Sequence, residues 1–167
     1  MAVFSATSRR PTICLAMIVK NESAVIERCL RAALGNFDSW VIVDTGSDDD
    51  TCERIEAILA GVPGRLEHRP WVDFGHNRTE LMELAYEESA DWLLLLDADI
   101  ELEVDGNLHD LLPVGRRADA WLVDVVGSTV GYAMPYLVSG HRHWHYVGAT
   151  HEYIDTGGRV VRERLTE

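Results

Sequence analysis

The feature that most constrains the fold is a repeated alternation between short apolar runs and segments whose apolar side chains recur at helical spacing. Apolar runs at residues 12–19 (TICLAMIV), 39–44 (SWVIVD) and 91–97 (DWLLLLD) predict strands buried on both faces, and a weaker pattern at 65–71 (RLEHRPW) predicts a further strand. Strands of this kind need helices on both faces of their sheet.

Predicted helices separate these strands. Residues 20–34 carry apolar side chains at helical spacing and are followed by Gly35, a common C-terminal stop. Asp50 and Glu53 fit a capping box at the start of a second helix, and residues 75–90 have the pattern of a third, amphipathic helix. This order predicts right-handed βαβ units and an α/β fold with a Rossmann-like, mostly parallel central sheet flanked by helices.

The last third of the chain has a different pattern. Residues 121–127 and 130–138 are typical of strands, with no helix between them. This predicts a small antiparallel portion near the C-terminus. Because the sequence has no internal repeat, low-complexity stretch or evident linker, we predict one domain over residues 1–167.

The charge of the chain excludes some classes of partner. The formal net charge is −13 and Lys20 is the only lysine, so no basic stripe is available for a polyanion. We therefore predict no direct binding of nucleic acid. A small phosphate ligand remains compatible with this charge, because one arginine or a metal ion can override it locally.

The cysteines and the hydropathy of the sequence indicate the cellular compartment in which the protein is found. The three cysteines Cys14, Cys29 and Cys52 are an odd number without metal-binding spacing, which favours free thiols in a reducing environment. No run approaches the roughly 18 apolar residues of a membrane span, and the N-terminus lacks the pattern of a secretory signal. We expect a cytoplasmic protein.

Polar clusters follow three of the predicted strands, at the edge where an open α/β sheet binds its ligands. They are residues 20–22 (KNE), 44–50 (DTGSDDD) and 97–99 (DAD). Each has a simpler explanation, since aspartates favour tight turns and helix caps. Two carboxylates about 4 Å apart repel by roughly 4 kcal/mol at an effective dielectric of 20. A divalent cation that prefers oxygen ligands, magnesium or manganese (Mg2+ or Mn2+), would relieve such repulsion.

Several motifs in order resemble one family. The segments ICLAMIVKNESAVIERCLRAAL, SWVIVDTGSDDDT, WVDFGHNRTE and DWLLLLDADIELE are similar to the family 2 glycosyltransferases, which have the GT-A fold. The resemblance covers residues 12–103, which it implies are the nucleotide-sugar-binding part. A weaker similarity, to a Y-x-G-x-x-H-E segment, lies at 141–154 in the acceptor-side part, residues 104–167.

The resemblance implies a metal-dependent transfer of a sugar from a nucleoside-diphosphate sugar, with uridine as the expected base and with inversion at the anomeric carbon. Asp44 would contact the base or ribose, Asp97 the ribose and metal, and Asp99 would be the closer metal ligand. Lys20 is either a phosphate contact or a solvated residue. The full set of implied donor-binding residues is Asn21, Glu22, Asp44, Gly46, Arg78 and Asp97.

The segment HRHWHYVGATHEYI supplies the candidates for the remaining chemistry. Glu152 is the preferred general base for the acceptor, with Asp155 as the second candidate, and His151 is a further metal contact. The alternative is a surface strand in which these side chains have no chemical role. Arg142 and Trp144 are predicted to contact the substrate.

Other aromatic and imidazole side chains have two interpretations each. The alternate histidines His141, His143 and His145 would share one face of a strand and bind zinc, or would belong to a loop that serves the active site. Trp144 and Tyr146 would face the other way, to stack on a sugar or to pack. Trp71 and Trp121 are expected in the core or in the wall of the cleft.

The acceptor is not identified by the sequence; a glycan, lipid, protein, small molecule or modified base all remain open. Members of the resembled family usually continue beyond this point. The domain is therefore minimal, shares its acceptor site across a homo-oligomer, or is part of a longer protein. The competing function is a non-catalytic domain of the same fold that binds a nucleotide sugar or a glycan.

Three other classes are excluded by their motifs. Aspartate-nucleophile phosphatases need a lysine downstream of the D-x-D, and Lys20 precedes it. The chain lacks the G-K-[ST] motif of a P-loop enzyme. It also lacks, after its first strand, the G-x-G-x-x-G motif of a dinucleotide-binding domain.

Overall fold

The fold was analysed in a computed structural model, which describes residues 9–112, 118–125, 132–149, 153–155 and 162–164. Within these ranges the chain forms helices and strands in alternation up to the fourth strand. The helices are α1 (Ile26–Ala33), α2 (Thr51–Leu59), α3 (Phe74–Glu87) and α4 (Leu108–Leu111). The strands are β1 (Ile13–Val19), β2 (Ser39–Asp44), β3 (Gly64–His68), β4 (Trp92–Leu95), β5 (Ala120–Val125), β6 (Tyr132–Ser139), β7 (His145–Val147), β8 (Tyr153–Asp155) and β9 (Arg162–Arg164).

The central sheet has seven strands in the order β3-β2-β1-β4-β6-β5-β9. The pairs β3–β2, β2–β1, β1–β4 and β5–β9 are parallel, whereas β6 is antiparallel to both β4 and β5. Strands β7 and β8 form a separate antiparallel pair. The predicted mostly parallel α/β sheet with a small antiparallel portion is confirmed.

The two faces of β1 show why this strand is almost entirely apolar. Ile13, Leu15 and Met17 pack into one core layer with side chains of α1 and α2. Cys14 and Ala16 point the other way, into a layer with side chains of α3. Since alternate side chains of a strand face opposite sides of its sheet, both sets are buried. Strand β4 continues the same two layers, and the leucines of residues 93–96 are all at most 6% exposed.

Several element boundaries differ from the predicted ones. Helix α1 begins at Ile26 instead of residue 20, because the chain first makes a turn in which Asn21 has a φ of 55°. Strand β3 ends at His68, just before Arg69 donates its N–H to the Asp44 carbonyl, and Pro70 follows. Helix α3 begins after Asp73, whose carboxylate accepts the His76 N–H, and it ends at Glu87.

The predicted capping box of α2 is wrong. Asp50 stands at the N-cap but makes no capping hydrogen bond with its side chain. Its carboxylate instead accepts from Arg54 Nε at 2.9 Å and Nη2 at 2.7 Å. The N–H of Thr51, the first residue of the helix, donates to Asp49 Oδ1 at 3.0 Å. An arginine four residues along the helix thus competes successfully for the Asp50 carboxylate.

The short elements α4, β7, β8 and β9 were not predicted. Of the three alternate histidines, only His145 lies in a strand, while His141 and His143 come before β7 begins. Their side chains have separate partners. His141 contacts Asp91 and His145 contacts Asp155, both at 3.2–3.3 Å, and His143 stacks on Tyr86. The shared zinc site is therefore wrong.

All three cysteines lie within the described residues. Cys14 and Cys29 are buried and Cys52 is half-buried, and all three are free thiols. In the part of the chain that the structure describes, no helix combines the length and the apolar character that a membrane crossing requires.

Candidate nucleotide and metal site

A crevice of about 530 Å³ opens at the carboxyl edge of the parallel strands. It lies where β1, β2 and β4 end, as parallel α/β sheets are expected to place a ligand site. The clusters predicted at these three strand ends therefore meet. The polar side chains of its lining are Lys20, Glu22, Thr45, Arg78, Asp97 and Asp99.

Asp97 and Asp99 reach this crevice because β4 ends just before them. Ala98 is 5% exposed and packs into the core, whereas the Asp97 side chain is 43% exposed and Asp99 is exposed. Arg78, on the second turn of α3, donates from Nη2 to Asp97 Oδ1 at 2.7 Å. Arg78, which the resemblance places near the nucleotide, thus lies beside the aspartate pair.

Several carboxylates act on one another at this end of the crevice. Burial raises the pKa of Glu22, and the negative charges of Asp99, Asp49 and Asp97 raise it further. Burial also raises the pKa of the neighbouring Cys29 thiol to about 12, with Asp99 and Asp97 adding to the effect. The charged groups able to ligate a metal ion here are carboxylates, the ligand type that Mg2+ and Mn2+ prefer, and Lys20 and Arg78 line the same crevice.

Asp44 is held in place at the end of β2, 4% of its side chain exposed. Its carboxylate accepts the N–H groups of Gly46 and Ser47, both at 3.1 Å, and lies 3.3 Å from His68 Nδ1. Burial raises the pKa of Asp44, but the hydrogen bonds from Ser47, Gly46 and His68 outweigh it, and the pKa lies below its ordinary value. Gly46 has a φ of 106°, which favours glycine in this turn.

Asn21 connects the two loops that border the crevice. Its Nδ2 donates to Asp48 Oδ1 at 2.7 Å, and the Asp48 N–H donates to Asn21 Oδ1 at 2.8 Å. The Asn21 N–H also donates to Ser47 Oγ at 2.9 Å. Both ends of the Asn21 amide are thus engaged in holding the acidic loop after β2 against the end of β1.

An aromatic pair forms one wall of the crevice. Trp71 and Phe74 are 42% and 40% exposed and meet edge to face, with ring centroids 4.8 Å apart. Trp121, by contrast, is 7% exposed and lies 6.2 Å from the Trp92 ring in the core. Trp71 therefore lies in the wall of the crevice and Trp121 in the core, and both environments were among those predicted.

Arg142 and Trp144 are not brought to the crevice, which corrects their predicted contact with the substrate. Both follow Ser139, which pairs with Trp92 at the opposite end of β4. Trp144 is 4% exposed, and its Nε1 donates to the Ser139 carbonyl at 2.8 Å. Arg142 packs over the Trp144 ring and lies 3.8 Å from Asp119. The sequence pattern did not reveal that the segment after β6 starts at the edge of the sheet opposite the crevice.

Of the remaining candidates, only Asp155 lies within the described residues. Strand β7 runs along α3, where the Tyr146 N–H donates to Thr79 Oγ1 at 2.9 Å. Asp155 lies in β8 at 3.3 Å from His145 and is not among the described residues that line the crevice. His151 and Glu152 lie outside the described residues.

Three residues of this region were not singled out as site candidates from the sequence. Thr45 lines the crevice and donates from Oγ1 to the Val19 carbonyl; its position directly after a predicted strand end was an available signal. Phe74 lines the crevice next to the noted HNRTE motif. His68 meets Asp44 because β2 and β3 pair in that register, which no local pattern reveals.

Comparison with known proteins agrees with this geometry. Residues 14–158 match the family described as glycosyl transferase family 2. The chain belongs to glycosyl transferase family 2. Among its curated relatives is the SPbeta prophage-derived glycosyltransferase SunS of Bacillus subtilis, 30% identical over 150 residues that cover 89% of this chain and 31% of that protein. An uncharacterized glycosyltransferase of Rickettsia felis is 31% identical over 52% of this chain and 28% of that protein.

Solved structures share the fold of this family 2 member. The crystal structure of S. aureus TarS has a TM-score of 0.57 at 16% identity, covering 71% of this chain and 22% of TarS. The GT-A fold of the family is thus present here. The chain spans about a third of the length of SunS and less of TarS.

Proposed function

We propose that this chain is a metal-dependent glycosyltransferase domain. It transfers a sugar from a nucleoside-diphosphate sugar to an acceptor, with inversion at the anomeric carbon. The observation that carries the proposal is the crevice itself, in which the Asp97 and Asp99 carboxylates face the ends of β1 and β2. Membership of glycosyl transferase family 2 supports the reaction class.

Uridine is the proposed nucleoside of the donor, and Asp44 is the proposed contact of its base or its ribose. The S. aureus TarS fragment of the same fold has been crystallised with UDP and with UDP-GlcNAc. Backbone N–H groups anchor the Asp44 carboxylate, so it is already oriented to accept from a nucleoside. Gly46, Asn21 and Glu22 hold or flank the loops on either side of that position.

Asp97 and Asp99 are the proposed ligands of Mg2+ or Mn2+, and His151 is a further candidate. When bound, the ion offsets negative charge on the departing diphosphate. Arg78 holds the Asp97 carboxylate and brings a fixed cation to the same wall of the crevice. Lys20 is exposed at the end of β1 and lines the crevice, where its ammonium supplies a second cation for the phosphates.

Glu152 is the proposed general base. It removes the proton of the acceptor, which then attacks the anomeric carbon from the face opposite the diphosphate. Asp155 is the weaker candidate, since its carboxylate already contacts His145. The exposed Trp71–Phe74 pair offers apolar rings beside the crevice for the sugar or the acceptor.

A thermal-shift panel tests donor binding. UDP-, GDP- and dTDP-sugars are each added with and without Mn2+. A donor at 100 times its dissociation constant adds about 2.7 kcal/mol to the free energy of unfolding. We expect the largest shift with a UDP-sugar plus Mn2+. The absence of any shift with every donor plus metal would refute donor binding.

Asp99→Ala tests the metal role and separates catalysis from binding alone. The wild-type chain should hydrolyse or transfer from a UDP-sugar only with Mn2+ or Mg2+, and Asp99→Ala should lose this activity. Asp105→Ala, which removes another exposed aspartate just beyond the site, is the matched control. A wild-type chain that binds donors but turns over none of them, with any acceptor class tried, would favour the non-catalytic binding function.

A further inference from the structure

A second group of potential metal ligands lies beside the crevice, at the ends of three other elements. Asp44 ends β2, Cys52 is in the first turn of α2 and His68 ends β3. One ligand atom from each, a carboxylate oxygen, a thiol sulfur and an imidazole nitrogen, lies within 4.8 Å of the other two. No other such group of three was found within the residues the structure describes.

The donor types of this group differ from those of the Asp97–Asp99 pair. A thiolate, an imidazole and a carboxylate suit zinc and similar borderline metals, whereas magnesium prefers oxygen alone. Zinc bonds of about 2.0–2.3 Å place tetrahedral ligand atoms roughly 3.3–3.8 Å apart. The 3.3 Å between Asp44 Oδ2 and His68 Nδ1 already falls in this range. The separations from the Cys52 sulfur are at most 4.8 Å, and the 68% exposed His68 side chain has room to adjust to it.

The backbone around Asp44 supports a metal ligand. The N–H groups of Gly46 and Ser47 hold its carboxylate. Hydrogen bonds of this kind orient the first ligands of metal sites and contribute to affinity. The paired strands β2 and β3 place Asp44 directly opposite His68. Two of the three ligands are thus fixed relative to each other by the sheet.

We propose that Asp44, Cys52 and His68 bind one Zn2+-type divalent cation, separately from the metal at Asp97 and Asp99. With three protein ligands, the fourth position of a tetrahedral ion is left to water. A further consequence rests on the proposed function, in which Asp44 contacts the nucleoside. The Asp44 carboxylate cannot serve both partners, so zinc and the nucleoside exclude each other and zinc inhibits the transfer.

Cobalt is the probe for this site, because a Co2+ ion bound by a thiolate gives a charge-transfer absorption band that carboxylate-bound Co2+ lacks. We expect the wild-type chain to show this band with one equivalent of Co2+ and to lose it when Zn2+ is added. Cys52→Ser should abolish the band and His68→Ala should weaken Co2+ binding. The absence of the band from the wild-type chain would refute the site.

Matched controls keep this test specific. Cys29→Ala removes a buried thiol outside the group, and His76→Ala removes an exposed imidazole of α3. Both should retain the band, and circular dichroism should show that every variant is folded. In a competition assay with a zinc dye, Cys52→Ser should weaken Zn2+ binding by at least about tenfold, since even an outer partner of a metal ligand contributes that much. Equal affinity in the wild type and Cys52→Ser would overturn the proposal.

Uridine tests the exclusion without itself chelating the metal. If the proposed function holds, millimolar uridine lowers the apparent affinity for Co2+. Uridine that binds, as measured by thermal shift without metal, but leaves the Co2+ titration unchanged would overturn the exclusion. If neither uridine nor any donor binds, the proposed function fails while the cobalt band still decides the metal site.

Discussion

At the scale of single residues, Asp97 has two competing partners. Its carboxylate lines the crevice, where we propose that it binds a metal ion, and it also accepts from Arg78 Nη2 at 2.7 Å. The Arg78 side chain is only 17% exposed, which strengthens the pair relative to the surface pairs of the molecule. Arg78 therefore both orients Asp97 and opposes a cation beside it.

Replacing Arg78 by glutamine should change two affinities in opposite directions. Arg78→Gln removes a positive charge next to the aspartate pair, so Mn2+ alone should bind more tightly. The variant also lacks a cation near the phosphates, so UDP with Mn2+ should bind more weakly, by about 1.5–3 kcal/mol for a lost charged hydrogen bond. Isothermal titration measures both. Arg31→Gln, which removes an exposed helical ion pair with Glu27, is the control and should leave both affinities unchanged. The same two changes in affinity in this control would contradict the prediction.

At the scale of elements, the ends of the central strands are joined by side chains remote from the crevice. Asp91 precedes β4 and accepts from the Thr12 N–H at 2.8 Å and from Thr12 Oγ1 at 3.0 Å, which aligns β4 with the start of β1. Arg9 and His141 bind the same carboxylate. One side chain thus connects two neighbouring strands and the segment after β6.

Asp91→Ala should therefore destabilise the fold without touching the crevice. The change leaves the partly buried Thr12 N–H without its acceptor, and we expect a loss of about 1–3 kcal/mol in the free energy of unfolding. Urea denaturation measures this loss. Asp110→Ala, at an exposed position of α4, should stay within about 0.5 kcal/mol. Equal stability of the two variants would show that the Thr12 contacts are not needed.

The contact between α3 and the segment after β7 depends on a glycine. A side chain at Gly75 would clash with the Gly148 carbonyl oxygen. Alanine normally favours a helix over glycine by up to about 1 kcal/mol. We nevertheless expect Gly75→Ala to destabilise by about 1–3 kcal/mol through overpacking. Glu83→Ala, at an exposed position of the same helix, should not destabilise the fold and is the control. If Gly75→Ala were instead more stable than the wild type, the two segments would separate easily.

At the scale of the whole molecule, acidic residues outnumber basic ones, 28 against 15. The net charge is −13, and several carboxylates make hydrogen bonds that only their ionised forms can accept in full. In Asp38, Asp44 and Asp91 burial raises the pKa, but backbone and side-chain hydrogen bonds outweigh it and the pKa lies below the ordinary value. In Asp49 the hydroxyl of Thr51 is the main cause, and the pKa falls to about 2.

These shifts predict a loss of stability in acid. A carboxyl whose pKa is lower in the folded than in the unfolded state stabilises the fold above its unfolded pKa of about 3.9 and loses that contribution as the pH falls through the folded value. Urea midpoints should therefore be lower at pH 3 than at pH 6. Asp38→Asn should reduce the difference between the two pH values, and an unchanged difference would exclude Asp38 as a contributor.

The sequence by itself determined the order of strands and helices, the burial of the leucine run and the convergence of three polar clusters at one edge. These follow from local hydrophobic period and from the rule that parallel strands end on the same side. Only the tertiary structure decided that β6 enters between β4 and β5, that Arg142 and Trp144 lie at the opposite edge, and that His68 meets Asp44. Those facts depend on strand order, register and packing between distant segments, which no local pattern encodes.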